Sequence, residues 1–264
     1  MTRIIAVANQ KGGVGKTTTS VNLAASLSLV KRKVLLVDLD PQGNATMGSY
    51  VDKHELTLSS CDVLLSEAAI QDCIHRVEEV GFDVLPGNSD LTVAEVELMN
   101  ADNRERRLSD ALDQVKDNYD YIIIDCPPSL NMLTLNALVS ADGVLIPMQC
   151  EYYALEGLSA LMDTIEQIRG SVNPDLEIEG LLRTMFDPRN KLAKDVSDQL
   201  IEHFGDKVYR TVVPRNIRLA EAPSHGLPVL KYDKTSRGAL AYFALAGEVV
   251  RKQQLADNAA EAIA

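Results

Sequence analysis

Short apolar runs alternate along the chain with longer stretches of helical periodicity. Residues 4–9, 34–38, 84–86, 121–125, 144–148, 178–185 and 208–212 are rich in Ile, Val and Leu and lack polar alternation. Strands buried on both faces carry that pattern. Between them, residues 17–30 and 155–169 place apolar side chains at intervals of three and four, as amphipathic helices do. The alternation predicts an α/β fold with a mostly parallel central sheet and helices on both faces. Residues 235–264 read as a helical end piece that packs through Leu240, Phe243, Leu245 and Val249. That helix is expected over about 235–255, with a frayed tail beyond it. No internal repeat, low-complexity tract or Gly/Ser linker interrupts the pattern, so residues 1–264 are read as one domain.

Composition narrows the class. Apolar residues make up 46% and charged residues 24% of the 264, ordinary values for a folded protein that exclude disorder. No apolar run approaches the roughly 20 residues a membrane span needs. The first apolar stretch, residues 4–8, is too short for a secretory leader, which places the expected site of action in the cytoplasm. Cys61, Cys73, Cys126 and Cys150 show no CxxC or zinc spacing, so they are expected to be reduced and structurally incidental. The net charge of −12 argues at first sight against nucleic acid. Yet residues 183–252 hold 13 basic side chains against 8 acidic ones. Net charge therefore excludes only a uniformly basic surface.

The chemistry begins where the first strand runs into Gln10-Lys11-Gly12-Gly13-Val14-Gly15-Lys16-Thr17-Thr18, with a helix following at once. Three glycines let the backbone turn tightly and aim successive N–H groups at phosphate oxygens. The start of the helix adds the positive end of its dipole. Lys16 is placed to bridge the β- and γ-phosphates of a nucleotide, and the Thr17 hydroxyl to ligate Mg2+. The loop departs from the ordinary GxxxxGK[ST] form, because position 10 is Gln and a second lysine, Lys11, opens it.

Two further segments end in carboxylates. Residues 34–38 lead into Asp38-Leu39-Asp40-Pro41-Gln42-Gly43-Asn44. A carboxylate at such a strand end can orient an attacking water or hold a hydrated metal. Asp40 is the expected water-positioning residue and Asp38 a supporting contact near Mg2+. Tyr121-Ile122-Ile123-Ile124-Asp125 has the form of a Walker B strand, with Asp125 expected to bind Mg2+ through a water. Pro127 and Pro128 then stop the strand. A cluster-bridging alternative suggested by Cys126 lacks the paired cysteine loops that such a cluster needs.

KGGVGKTTTSVNLA, VLLVDLDPQGNAT, YIIIDCPPSL and VPRNIRLAEAPSHGLPV follow one another over almost the whole chain. Together they resemble the ParA/Soj family of chromosome- and plasmid-partitioning ATPases, and KGGVGKTT resembles the deviant Walker A box. The resemblance implies a P-loop ATPase that acts as a slow switch. It also implies an ATP-bound sandwich homodimer, non-specific binding of double-stranded DNA, and hydrolysis stimulated by a ParB-type centromere-binding protein. Carried over by position, Lys11 looks like a lysine that acts across the dimer, and Gly12 like its close-packed glycine. Gly13, Val14, Gly15, Lys16, Thr17 and Thr18 complete the phosphate seat, and Asp40 matches the hydrolytic acid. Pro214 and Asn216 resemble the segment that contacts adenine. Arg189 and Arg218 resemble DNA-contacting positions, and Arg215 lies in the same basic third. With the first strand at residue 4, the short chromosomal type is expected, nucleoid-associated and without an operator-binding domain. A membrane-surface ATPase of the cell-division-site branch is the alternative, but its basic amphipathic tail has no counterpart after Gln253, where the only charges are Asp257 and Glu261. A nucleotide-gated scaffold with no DNA role is the other.

Overall fold

The computed structural model describes residues 2–261. Eight strands form one sheet: β1 (Arg3–Val7), β2 (Val34–Asp38), β3 (His75–Val77), β4 (Phe82–Leu85), β5 (Tyr121–Asp125), β6 (Gly143–Gln149), β7 (Glu177–Phe186) and β8 (Val208–Pro214). Their order across the sheet is β3-β4-β2-β5-β1-β6-β7-β8. Only the β3–β4 pair is antiparallel. The helices of eight residues or more are α1 (Lys16–Leu29), α2 (Leu91–Leu98), α3 (Met132–Ser140), α4 (Ala154–Arg169), α5 (Lys191–Phe204) and α6 (Arg237–Glu261).

Period-two geometry sorts each central strand between two cores. Ala6, Val37 and Ile124 pack toward α2, α3, α4 and α5 on one face. Ile5, Leu36 and Ile123 pack toward α1 and α6 on the other. All these side chains are fully buried, which explains the unbroken apolar runs in the sequence.

Three features differ from the sequence reading. Strand β3 is absent from it, because His75-Arg76-Val77 is a three-residue edge strand with two exposed polar members. Helix α1 is not amphipathic: residues 19–27 are all buried, since α6 covers the side turned away from the sheet. The buried Tyr242 hydroxyl of α6 lies 3.1 Å from Thr19 Oγ1. Helix α6 continues to Glu261 instead of fraying near 255, consistent with the helix-favouring run of alanines there. Residues 262–264 of the expected tail lie outside the described residues. Among the described residues no helix is long and apolar enough to cross a membrane.

Because β1, β2, β5, β6, β7 and β8 run in one direction, their carboxyl ends share one rim of the sheet. Asp38 and Asp125 sit side by side in register there, and Val7 is the partner of Asp125 on its other flank. In open α/β sheets this rim is where ligands bind.

Candidate functional site

The loop between β1 and α1 is the centre of that rim. Gly13 and Gly15 adopt φ of 72° and 90°, left-handed values that L side chains rarely tolerate. Gly15 occupies the N-cap of α1, and no side chain caps the helix. The first-turn amides are therefore free to receive an anion. Residues 10–13 are exposed, whereas Val14 and Lys16 are buried. Lys16 Nζ donates to the Lys11 carbonyl at 3.1 Å, so the loop folds over its own ammonium. Burial pulls the Lys16 ammonium below its ordinary pKa, and Asp125, Cys126 and Asp40 partly offset that. Thr184 Oγ1 of β7 donates to the Val14 carbonyl at 2.7 Å and fastens the loop to the sheet.

Asp125 is fully buried and accepts two hydroxyls: Thr17 Oγ1 at 2.8 Å and Ser20 Oγ at 2.7 Å. Burial pushes its carboxyl up to about 8, and the neighbouring Asp38 adds to the shift, while the two hydroxyls work against it. Asp38 is pushed up to about 6, again mainly by burial. Both of its oxygens are committed within the chain. Oδ1 accepts the Asp40 N–H at 3.1 Å, and Oδ2 accepts the Thr46 N–H at 2.8 Å and hydroxyl at 2.7 Å. Asp38 thus organises the turn that carries Asp40, because a strand end buried this deeply must satisfy its loop's donors internally. Asp40 is 9% exposed, and its Oδ1 accepts the Gln42 N–H at 2.9 Å.

The hard-oxygen pair Thr17 and Asp125 suits Mg2+, which keeps several waters and takes other ligands from phosphates. Among the described residues no group of three or more His, Cys, Asp or Glu forms a cage of its own. A cation shared with a nucleotide is what this donor set accommodates. All four cysteines are free and buried, and burial pushes the Cys126 thiol far up.

The outlying residues fall on the same rim with more local roles. Pro214 ends β8 opposite Phe186 of β7. Asn216 caps the short helix Ile217–Glu221, its Oδ1 accepting the Arg218 and Leu219 N–H groups at 3.0 and 3.3 Å. Arg189 makes a two-pronged pair with Asp187, at 2.9 and 2.8 Å. Arg218 reaches Glu221 at 2.7 Å and Asp233 at 3.4 Å. Arg215 is exposed and makes no ion pair among the described residues. Lys11 is bound to Glu151 at 2.6 Å. Sequence reading passed over Ser20, Thr46, Glu151 and Thr184. Ser20 was within reach, since it lies one turn beyond Thr17 on the same helix face. Glu151 and Thr184 depend on long-range contacts that carry no local signal, and Thr46 on closure of the turn that follows β2.

A model of the AAA domain family matches residues 2–178. The sporulation initiation inhibitor protein Soj of Bacillus subtilis is 54% identical over 249 residues, covering 94% of this chain and 98% of Soj. The chromosome partitioning protein ParA of Myxococcus xanthus is 53% identical, covering 95% and 88% respectively. Among solved structures, cobyrinic acid a,c-diamide synthase of Mycobacterium smegmatis with bound ADP and magnesium superimposes with a TM-score of 0.84. It is 38% identical and covers 96% of both chains.

Proposed function

The chain belongs to the ParA/Soj family of partitioning ATPases, and from that premise we propose how its own residues bind ATP and Mg2+, hydrolyse the nucleotide and use the cycle to grip and release DNA. It acts in ATP-dependent partitioning. The observation that carries the residue assignment is Asp125 joined to Thr17 at 2.8 Å, beside a buried Lys16 and an uncapped helix N-terminus. The loop amides from Gly12 to Thr18 and the Lys16 ammonium receive the phosphates. Thr17 and Asp125 would hold Mg2+, which when bound would supply positive charge beside the phosphates. Asp40 orients the attacking water, and Asp38 fixes Asp40 through the backbone. Lys11 completes the charge balance on a second copy's nucleotide, so turnover waits on dimerisation. Asn216 keeps its side-chain N–H donors for adenine while its oxygen caps the helix. Pro214 lines the same seat.

Arg189, Arg215 and Arg218 form the DNA face, doubled in the ATP-bound homodimer. The protein works on the nucleoid as one domain over its full length, and a ParB-type partner stimulates hydrolysis to release it. Light scattering after size exclusion, paired with DNA co-sedimentation, tests this reading with ATP, ADP and no nucleotide. ATP alone should give both the dimer and the DNA complex. A dimer that leaves DNA in solution points instead to a nucleotide-gated scaffold.

A further inference from the structure

Lys11 has a partner that nucleotide binding does not explain. Its Nζ donates to Glu151 Oε2 at 2.6 Å, across 140 positions of sequence. Both backbones are held in place. The Lys11 N–H donates to Asn9 Oδ1 at 2.9 Å, and Asn9 Nδ2 donates to the Pro147 carbonyl of β6 at 2.8 Å. Glu151 follows the end of the same strand: its N–H donates to the Gln149 carbonyl at 2.9 Å, and its carbonyl accepts the Ala154 N–H at 3.0 Å. The spacing of the two backbones is thus set by β6, and only the side chains are free to part.

We propose that Glu151 is a positioning residue for Lys11, parking the ammonium on its own chain until a second copy's nucleotide draws it away. The inference rests on the trans-acting role given to Lys11 above. Two lysines in one short loop repel each other, and Glu151 neutralises one of them in the nucleotide-free chain. The pair is suited to release. The side chains are 42% and 51% exposed, so water and salt compete for both charges. A triphosphate offers several charges where Glu151 offers one. Once vacated, the half-exposed Glu151 carboxylate stays hydrated and incurs no burial penalty. Tyr152 and Tyr153 follow directly, 74% and 69% exposed and packed edge to face at 5.0 Å. The pair therefore lies beside an apolar surface that a second copy can cover. A contact held in the free chain and surrendered on assembly opposes assembly, and each dimer surrenders two.

Sedimentation equilibrium with Mg2+-ATP tests this in an Asp40→Ala background that halts turnover. Glu151→Gln should lower the dimer dissociation constant by about two- to thirtyfold at low salt, the range for two exposed pairs. The advantage should disappear by about 0.5 M salt, where exposed pairs are screened. Glu151→Asp should fall between Gln and wild type. Glu156→Gln, an acid one turn further along, should change nothing. Unchanged or weaker dimerisation of Glu151→Gln overturns the proposal. Lys11→Ala separates the two readings: if it still dimerises with ATP as wild type does, the trans-acting role itself fails. If it does not dimerise while Glu151→Gln behaves as wild type, only the parking role falls.

Discussion

At the residue scale, the proposed site divides side chains assigned to the nucleotide from those that hold them in place. Lys16→Ala removes the ammonium assigned to the phosphates in its own chain. Isothermal titration should then find ATP affinity lost; unchanged affinity sinks the phosphate-loop assignment. Asp38 and Asp40 are two positions apart and should fail differently. Asp40→Ala should leave folding intact and ATP bound, with turnover down by about 10²–10⁴-fold in a single-turnover assay. Asp38→Asn leaves three buried donors with an acceptor of half the capacity. It should destabilise the fold by about 1–3 kcal/mol in urea titration and slow turnover as well, because Asp40 loses its backbone anchor. Equal melting of both variants would place the two carboxylates in one role. This is also where sequence reading reached its limit. That Lys16, Thr17 and Asp125 come together was legible because loop, strand and helix occur in a required order. The structural role of Asp38 was not, because its partner Thr46 becomes one only when the 40–46 turn closes on itself.

At the element scale, legibility followed burial. Strands β2 and β5 were read residue for residue, since both of their faces are covered and no polar position interrupts them. Strand β3 was missed because an exposed three-residue edge has no pattern to read. The amphipathic reading of α1 failed because α6, more than 200 residues later, buries its outer side. A loop between these elements gives the clearest test of close packing near the site. Gly87 follows β4, and a Cβ built there would lie 2.5 Å from the Asp38 carbonyl oxygen. That oxygen is backbone at the end of β2 and cannot turn aside. Gly87 also exchanges hydrogen bonds with Thr46 Oγ1, donating at 2.8 Å and accepting at 3.1 Å. Gly87→Ala should therefore cost about 1–3 kcal/mol in chemical denaturation. The same variant should lower turnover through displacement of Asp38 and Thr46, with ATP affinity largely kept. Wild-type stability in this variant would mean that the turn at β2 can yield.

At the scale of the whole molecule, the sheet order separates charge. Residues 77–103, which include β4 and α2, carry seven carboxylates and no lysine or arginine. The basic third, residues 183–252, begins in β7 and β8 at the opposite edge of the sheet and then returns over α1, where the Val229 N–H donates to Asn22 Oδ1 at 2.7 Å. Six inter-strand steps of roughly 4.8 Å put about 29 Å between β4 and β8, well over the Debye length of about 8 Å in physiological salt. The surroundings of these two strands therefore differ in charge, and the net charge of −12 describes neither. Within the basic edge, however, the arginines are unequal. Arg189 and Arg218 must leave Asp187, Glu221 and Asp233 before they can meet a phosphate, whereas Arg215 has no ion pair to give up among the described residues. Exposed pairs of that kind are worth little, so DNA displaces them at small cost. Arg189→Glu with Arg218→Glu should weaken DNA binding alike on every sequence. The double change removes up to four phosphate contacts per dimer, and the slope of log K against log salt should fall by up to about 3.6. Arg215→Ala, which breaks no ion pair, should cost more affinity than Arg189→Ala, which leaves Asp187 hydrated near Arg215. ATP-driven dimerisation should survive all of these changes. Fluorescence anisotropy on two unrelated duplexes across a salt series measures each quantity; an unchanged slope removes these arginines from the DNA face.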